Sequence, residues 1–259
     1  MPLVLKNPHS VLAVLETRPQ DVLQVTVPPK ASNEFWEKVA RQAKDLRIPV
    51  VSSGQKGAPQ KGGPQKGPRP VVRGAPQEES TRMGSAEASV RERSPLSSEE
   101  IFKGARDRAG GTGLWLALDC LQDPHNVGAV FRAAAFFGVQ GIIMTQERSA
   151  PLTSTVYDVA SGGVEYIPFA AQTNLQQGFE IAKEAGLWIL GTSEHAHDDI
   201  KTVSRDRPWL LVLGNEEKGM RRLTEETCDV LCKVSGVGKV TSLNVSVAAG
   251  ILISRLTGK

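Results

Sequence analysis

The polar side chains best placed for chemistry fall in two short stretches near the C-terminal end. In the first, apolar Leu211-Val212-Leu213 runs into Gly214-Asn215-Glu216-Glu217-Lys218-Gly219. In the second, Val234-Ser235-Gly236-Val237-Gly238 leads on to Ser242-Leu243-Asn244 and an apolar tail. Glycine directly after a buried strand lets the backbone turn sharply and approach a ligand. Ser242 is a suitable N-cap, and the N–H groups behind it would face whatever fills the loop. Glu216, Ser242 and Asn244 would then bring a carboxylate, a hydroxyl and an amide to one place. A third stretch, Asp123-Pro124-His125-Asn126, puts Asn126 near a helix start and Arg132 one to two turns in, where a guanidinium can meet a phosphate or ribose. Taken singly, each loop also fits an ordinary strand-to-helix turn, Asn126 a cap, and Arg132 a solvated helix residue.

Holding these residues together calls for alternating strands and helices. The pattern predicts strands at 114–119, 141–145, 164–168, 187–191, 209–213 and 230–234. It predicts helices at 127–137 (closed by Gly138), 152–160, 174–185 and 243–256. The fold class is α/β, with a mostly parallel sheet covered on both faces. The closing helix shows two usable sides. Leu243, Val247, Gly250, Ile251 and Ser254 form one row; Val245, Ala248, Leu252 and Leu256 form another. His195, His197, Asp198 and Asp199 cluster in a polar stretch expected to be a solvated loop rather than a metal site. The Gly214–Gly219 loop lacks the Gly-Lys-Ser/Thr ending of a nucleotide-binding P-loop.

The three motifs, in this order and spacing, resemble those of the SpoU-type (TrmH-like) RNA ribose 2′-O-methyltransferases of the SPOUT superfamily. The branch they are most similar to modifies guanosine in large-subunit rRNA. The resemblance covers residues 114–259 closely and the first fifty loosely. It implies an α/β knot, with the chain from about residue 187 threaded as a trefoil. It also implies S-adenosyl-L-methionine as methyl donor, RNA as partner (rRNA first, tRNA second), no metal, and a homodimer whose interface completes the active site. Asn126, Arg132, Glu216, Ser242 and Asn244 stand at the family's catalytic positions. Thr192, Leu213, Gly214, Val234 and Leu243 stand at or beside its donor-binding positions. The family assigns the arginine to activating the ribose hydroxyl. A guanidinium stays protonated in proteins, so a cation that stabilises the developing alkoxide and holds the phosphate is the chemistry expected of Arg132. Glu217 departs from the pattern, since most relatives carry glycine there. If the position requires positive φ, Glu217 is strained by about 1 kcal/mol or more. The rival reading is a non-catalytic RNA-binding or ribosome-assembly protein on the same fold, against which the intact polar set argues.

Composition bounds the rest. Apolar residues make up 40% of the 259, enough for a real core, and no run nears the roughly 18 a membrane span needs. The N-terminal residues have neither a signal-peptide core nor an Arg-rich presequence, so a cytoplasmic location is expected. Three cysteines, Cys120, Cys228 and Cys232, are too few for a disulfide framework. The net charge of +3 is unevenly placed: residues 52–113 hold 11 Lys/Arg against 7 Asp/Glu, the remainder 20 against 21. That basic segment contains near-repeats of Pro-Gln-Lys-Gly and a single aromatic, Phe102. It is expected to be a disordered linker with one short helix over 98–107. Residues 1–51 read as a partial α/β substrate-binding unit, with a helix starting at 9–15, a strand at 22–27, a helix at 33–46 and a strand at 48–51. The expected domains are therefore 1–51, 52–113 and 114–259. Fifty-one residues are marginal alone, so this unit should dock on the remainder.

Overall fold

The computed structural model describes residues 2–28, 33–53 and 86–258. The chain opens with β1 (Leu3–Leu5), α1 (Pro8–Thr17), β2 (Val22–Val27), α2 (Glu34–Asp45) and β3 (Val50–Ser52). Asn7 and Asn33 cap the two helices, their side chains accepting from the amides of His9 and Phe35. A further strand, β4 (Glu87–Val90), lies inside this sheet, in the order β1-β4-β2-β3 and antiparallel to both of its neighbours.

The expected linker over 52–113 is thereby corrected for its last part, residues 86–113. Residues 87–90 complete the N-terminal sheet, with Ala88 and Val90 fully buried. After them, α3 (Ser98–Phe102) is held by a capping box between Ser97 and Glu100 and buries Ile101 and Phe102. Composition hid the strand because it contributes only two apolar side chains; β1 and β2 supply the others. The near-repeats lie in 54–85, outside the described residues.

The second unit runs β5 (Leu114–Leu118), α4 (Pro124–Phe137), β6 (Ile142–Thr145), α5 (Ser154–Ala160), α6 (Gly163–Tyr166), β7 (Phe169–Gln172), α7 (Gln176–Glu184), β8 (Trp188–Thr192), β9 (Asp198–Asp199), β10 (Trp209–Leu213), α8 (Arg222–Thr227), β11 (Val230–Lys233) and α9 (Val245–Thr257). Its strands pair in parallel in the order β7-β6-β5-β10-β8-β11-β9. Alternation along β5 and β10 feeds two cores. Leu114, Leu116, Leu118, Leu211 and Leu213 join Val127, Phe131 and Leu252 on one side, while Trp115, Ala117, Leu210 and Val212 join Phe102 and Phe179 on the other. Both faces are covered, which is why these strands read as unbroken apolar runs.

Residues 164–168, expected as a strand, form α6 and a turn, and the strand follows at Phe169–Gln172. Val164 and Ile167 are both buried, and a spacing of three suits a helical turn. Two glycines decide the matter. Gly162 takes φ 96°, and a Cβ on Gly163 would lie 2.7 Å from the Phe131 carbonyl oxygen, so α6 closes against α4 with backbone alone. Helix starts also differ from expectation. Asp123 caps α4, which begins three residues early, and Asn244 rather than Ser242 caps α9. The N-terminal unit does dock: the amides of Lys6 and Asn7 donate to Asp158, and Ser10 Oγ donates to the Tyr157 carbonyl at 2.6 Å. Among the described residues no helix is long and apolar enough to cross a membrane.

Candidate functional site

Asn126 lies in the first turn of α4 and is only 6% exposed. Its Nδ2 donates to Glu216 Oε1 at 3.1 Å, and its Oδ1 accepts from Asn244 Nδ2 at 3.0 Å. Asn244 Oδ1 in turn accepts from the Ser246 amide at 2.9 Å, capping α9. The ionised carboxylate can only accept, so it fixes the direction of the whole chain of amides. Residues 126, 216 and 244 are thus joined in three dimensions although they belong to three separate motifs.

Glu216 also accepts from the amides of Gln122 (3.3 Å) and Asp123 (3.2 Å), just ahead of α4. Burial opposes its charge, but the bonds from Asn126 and these amides outweigh it and hold the carboxyl below its ordinary value. The loop around it is braced from within. Asn215 Oδ1 accepts from the amides of Glu217 and Lys218, Asn215 Nδ2 donates to the Cys120 carbonyl, and the backbones of Asn215 and Gly219 exchange two bonds. The positive φ falls on Gly219, at 66°, and not on Glu217. The substitution at 217 therefore carries no backbone strain.

Sequence reasoning missed a second brace. Asp119, 1% exposed at the end of β5, accepts from Arg221 Nε at 2.7 Å and from the Arg221 amide at 3.1 Å. It ties the far end of the Gly214–Met220 loop to the strand beside it. A lone carboxylate ending five buried apolar residues was the available signal; its partner, 102 positions away, gave none.

Beyond the C-terminal ends of β8, β10 and β11 lies a cavity of about 610 Å³. Thr192, Leu213, Gly214, Val234 and Leu243 all line it, together with Glu216 and Ser242. Gly214 is required by close approach, since a Cβ there would overlap the backbone of Gly219 and Met220. Arg132 is not brought to this cavity. It lies on the outside of α4, and with Ala129, Ala133, Phe136 and Val159 it lines a separate depression. Its guanidinium makes no hydrogen bond or ion pair among the described residues. Six residues along a helix turn it about 240° from Asn126.

The histidine-aspartate stretch resolves differently from the expected loop. Asp198–Asp199 form the edge strand β9, and Asp199 accepts from the amides of Lys201 and Ser235. The three cysteines are free, and burial, reinforced by nearby carboxylates, pushes the thiols of Cys228 and Cys232 up to about 12.

This arrangement of a parallel sheet, a cavity at the strand ends and a three-motif polar chain matches a described family. Residues 113–254 match the SpoU rRNA Methylase family, a span that includes every residue of the polar chain and all seven strands of the parallel sheet. The chain belongs to the SpoU rRNA methylase family. It is 36% identical over 245 residues to the 23S rRNA (guanosine-2′-O-)-methyltransferase RlmB of Pseudomonas aeruginosa, covering 95% of this chain and 92% of that protein. It is 43% identical to the putative TrmH family tRNA/rRNA methyltransferase YacO of Bacillus subtilis over 155 residues, 60% of this chain and 62% of that one. Against that relative the match spans about three fifths of its length. The fold is shared with the SpoU methyltransferase AviRb from Streptomyces viridochromogenes in complex with AdoMet, at a TM-score of 0.72 and 18% identity, over 99% of this chain and 89% of that one. In this SpoU chain the family match itself begins at residue 113 and ends at 254, while the alignment to the Pseudomonas aeruginosa protein reaches into the N-terminal unit as well.

Proposed function

We propose that this chain transfers a methyl group from S-adenosyl-L-methionine to a ribose 2′-hydroxyl of RNA, the target being a guanosine of large-subunit ribosomal RNA. The observation that carries this reading is the meeting, at Glu216, of the cavity and the amide chain from Asn126 to Asn244. The relative from Pseudomonas aeruginosa bears the name of that activity, and the AviRb structure holds AdoMet. Transfer RNA is the second substrate to test, since the Bacillus subtilis relative is named for both RNAs.

The cavity suits the donor on its own terms. Its volume lies in the range of cofactor sites, roughly 300–1,000 Å³, and its walls are the loops that follow three strands together with Val245, Ala248, Ile251 and Leu252 of α9. When bound, the donor supplies an activated methyl on a sulfonium, so orientation does much of the catalytic work. Backbone of Gly214, Val234 and Leu243 would hold it; Ser242 and Asn244 would orient the ribose at the start of α9. Glu216 keeps Asn126 and Asn244 in register. Arg132 would stabilise the developing alkoxide and hold the neighbouring phosphate.

Because Arg132 does not line its own chain's cavity, this reading includes a homodimer in which it serves the cavity of the partner. The exposed side of α9 supports that, with Val247 exposed by 52% and Ile251, which also borders the cavity, by 41%, while Leu252 and Leu256 are buried. Beside Arg132, Phe136 is 81% exposed. Exposed apolar residues of this number mark a contact surface. The trefoil threading of the chain from about residue 187 belongs to the same reading; β10 lying between β5 and β8 is in keeping with it. So does a cytoplasmic location, in keeping with three free thiols.

The test is methylation of ribosomal RNA by the purified chain, with ribose methylation mapped by nucleotide. Arg132→Ala should lower turnover on the order of a hundredfold and leave donor affinity, measured by calorimetry, within about twofold. Equal loss in both would make the residue structural.

A further inference from the structure

Two arginines of the N-terminal unit close on the four-residue helix α6. Arg18, 8% exposed, donates from Nε and Nη2 to the two oxygens of Glu165, both at 2.8 Å. Its Nη1 donates to the Arg91 carbonyl at 2.7 Å and to Asp21 at 3.2 Å. Glu165 is itself 5% exposed. Burial works against the charge of Arg18, but its bonds to Glu165 win and hold the guanidinium more firmly protonated than usual. Arg93, just after β4, donates from Nη1 to the carbonyls of Val164 and Ile167, with its guanidinium over the Phe169 ring at 5.5 Å. The acidic side chain of α6, the Val164 carbonyl and the adjoining Ile167 carbonyl are thus all taken by the other unit.

Cohesion alone does not explain this choice of residues. A buried ion pair adds little net stability over apolar packing of the same size, because both charges must be desolvated. What a bidentate arginine-carboxylate pair does supply is fixed geometry. The other side of α6 shows where that geometry is delivered. A Cβ on Gly163 would stand 2.7 Å from the Phe131 carbonyl oxygen and 3.0 Å from Arg132 Cα. Nearby, a Cβ on Gly128 would stand 2.8 Å from the Val156 carbonyl oxygen of α5. At Gly163, α6 therefore rests on the α4 backbone with no side chain between, while at Gly128 α4 meets both the Val156 carbonyl and the Val159 side chain of α5. A shift of α6 cannot be absorbed by a rotamer change and must move α4 where Arg132 departs from it.

We propose that Arg18, Arg93 and Glu165 are positioning residues for methyl transfer: clamped to the N-terminal unit, α6 sets the pose of Arg132 without touching donor or RNA. This rests on the role given to Arg132 above. The N-terminal unit is then part of the catalytic geometry, beyond any contact it makes with RNA.

A double-variant cycle on the full chain tests the proposal. Methylation of ribosomal RNA is measured for the wild type, Arg18→Lys, Glu165→Gln, Arg132→Ala and the Glu165→Gln/Arg132→Ala pair, with donor Kd by calorimetry and melting curves alongside. Arg18→Lys and Glu165→Gln should each lower kcat at least fivefold, with donor Kd and the KM for RNA within twofold. In the Arg132→Ala background, Glu165→Gln should cost less than a further twofold, because the residue it acts through is already gone. Should Glu165→Gln fail to fold, Arg93→Lys, which leaves the buried Arg18–Glu165 pair intact, takes its place in the same cycle. Losses that multiply in the double variant, or an unchanged kcat in a folded clamp variant, overturn the clamp alone. A wild-type chain that binds donor but methylates no RNA overturns the functional reading, and the clamp with it.

Discussion

The loop from Gly214 to Met220 and the loop from Val234 to Asn244 border the same cavity, yet they are built differently. The first is braced on several sides by Asn215, Glu216 and the Asp119–Arg221 pair, and Gly214 lies directly against its far end. The second is held near its ends, by the Ser235 amide on Asp199 and by Asn244 on Asn126. Between them, residues 236–243 make no hydrogen bonds among the described residues, and Val240 is 80% exposed. A loop with few buried contacts has low local stability. The comparison teaches a division of labour: one wall of the cavity is held by its own hydrogen bonds, and the other is anchored only near its ends.

The largest expected effect breaks the braced wall. Gly214→Ala places a Cβ against backbone that cannot rotate away, so donor affinity should fall on the order of a hundredfold, a loss of about 2.7 kcal/mol. Calorimetry showing an unchanged Kd would mean that this loop is as adaptable as its neighbour. Asp119→Ala comes next. It removes the acceptor of a charged hydrogen bond, and urea unfolding should show about 2–3 kcal/mol lost; a loss within error would demote the brace to decoration.

Acidification sharpens the comparison further. The Glu216 carboxyl titrates below the ordinary 4.5 in the folded chain, so its contribution to stability is complete above that value. It is lost as pH falls through the lower folded value. The stability gap between wild type and Glu216→Gln should accordingly narrow and close on acidification, read by urea unfolding at a series of pH values. A gap that stays constant would show that charge is not what orders the amide chain. Gly236→Ala should do least. Nothing lies within 4 Å of the added Cβ, so stability should change by no more than about 0.5 kcal/mol. A drop as large as that of Gly214→Ala would erase the distinction between the two loops.

Legibility in the sequence followed the same division. Strands β5 and β10 were readable because burial on both faces makes them apolar throughout, and α4 because Gly138 stops it in the left-handed conformation. Strand β4 and helix α6 were not. Each is about a turn or two of chain with two apolar side chains, and neighbours distant in sequence decide its form. Among site residues, the positions lining the cavity could be nominated from loop chemistry and resemblance, whereas the Asp119–Arg221 brace and the Arg18–Glu165 clamp join residues about a hundred or more positions apart.

The sequence by itself determined the α/β class, the three motifs and the glycine-framed loops that follow buried strands, because each depends on periodicity or on a local backbone requirement. Only the tertiary structure decided that Asn126, Glu216 and Asn244 form one directed chain, and that Arg132 stands outside its own chain's cavity. It also decided that Glu217 is unstrained, by placing the positive φ two residues later on Gly219. The physical reason is common to all three: hydrogen-bond direction, helix-face orientation and the position of a turn depend on where non-local partners lie, and a linear order of residue types does not carry that.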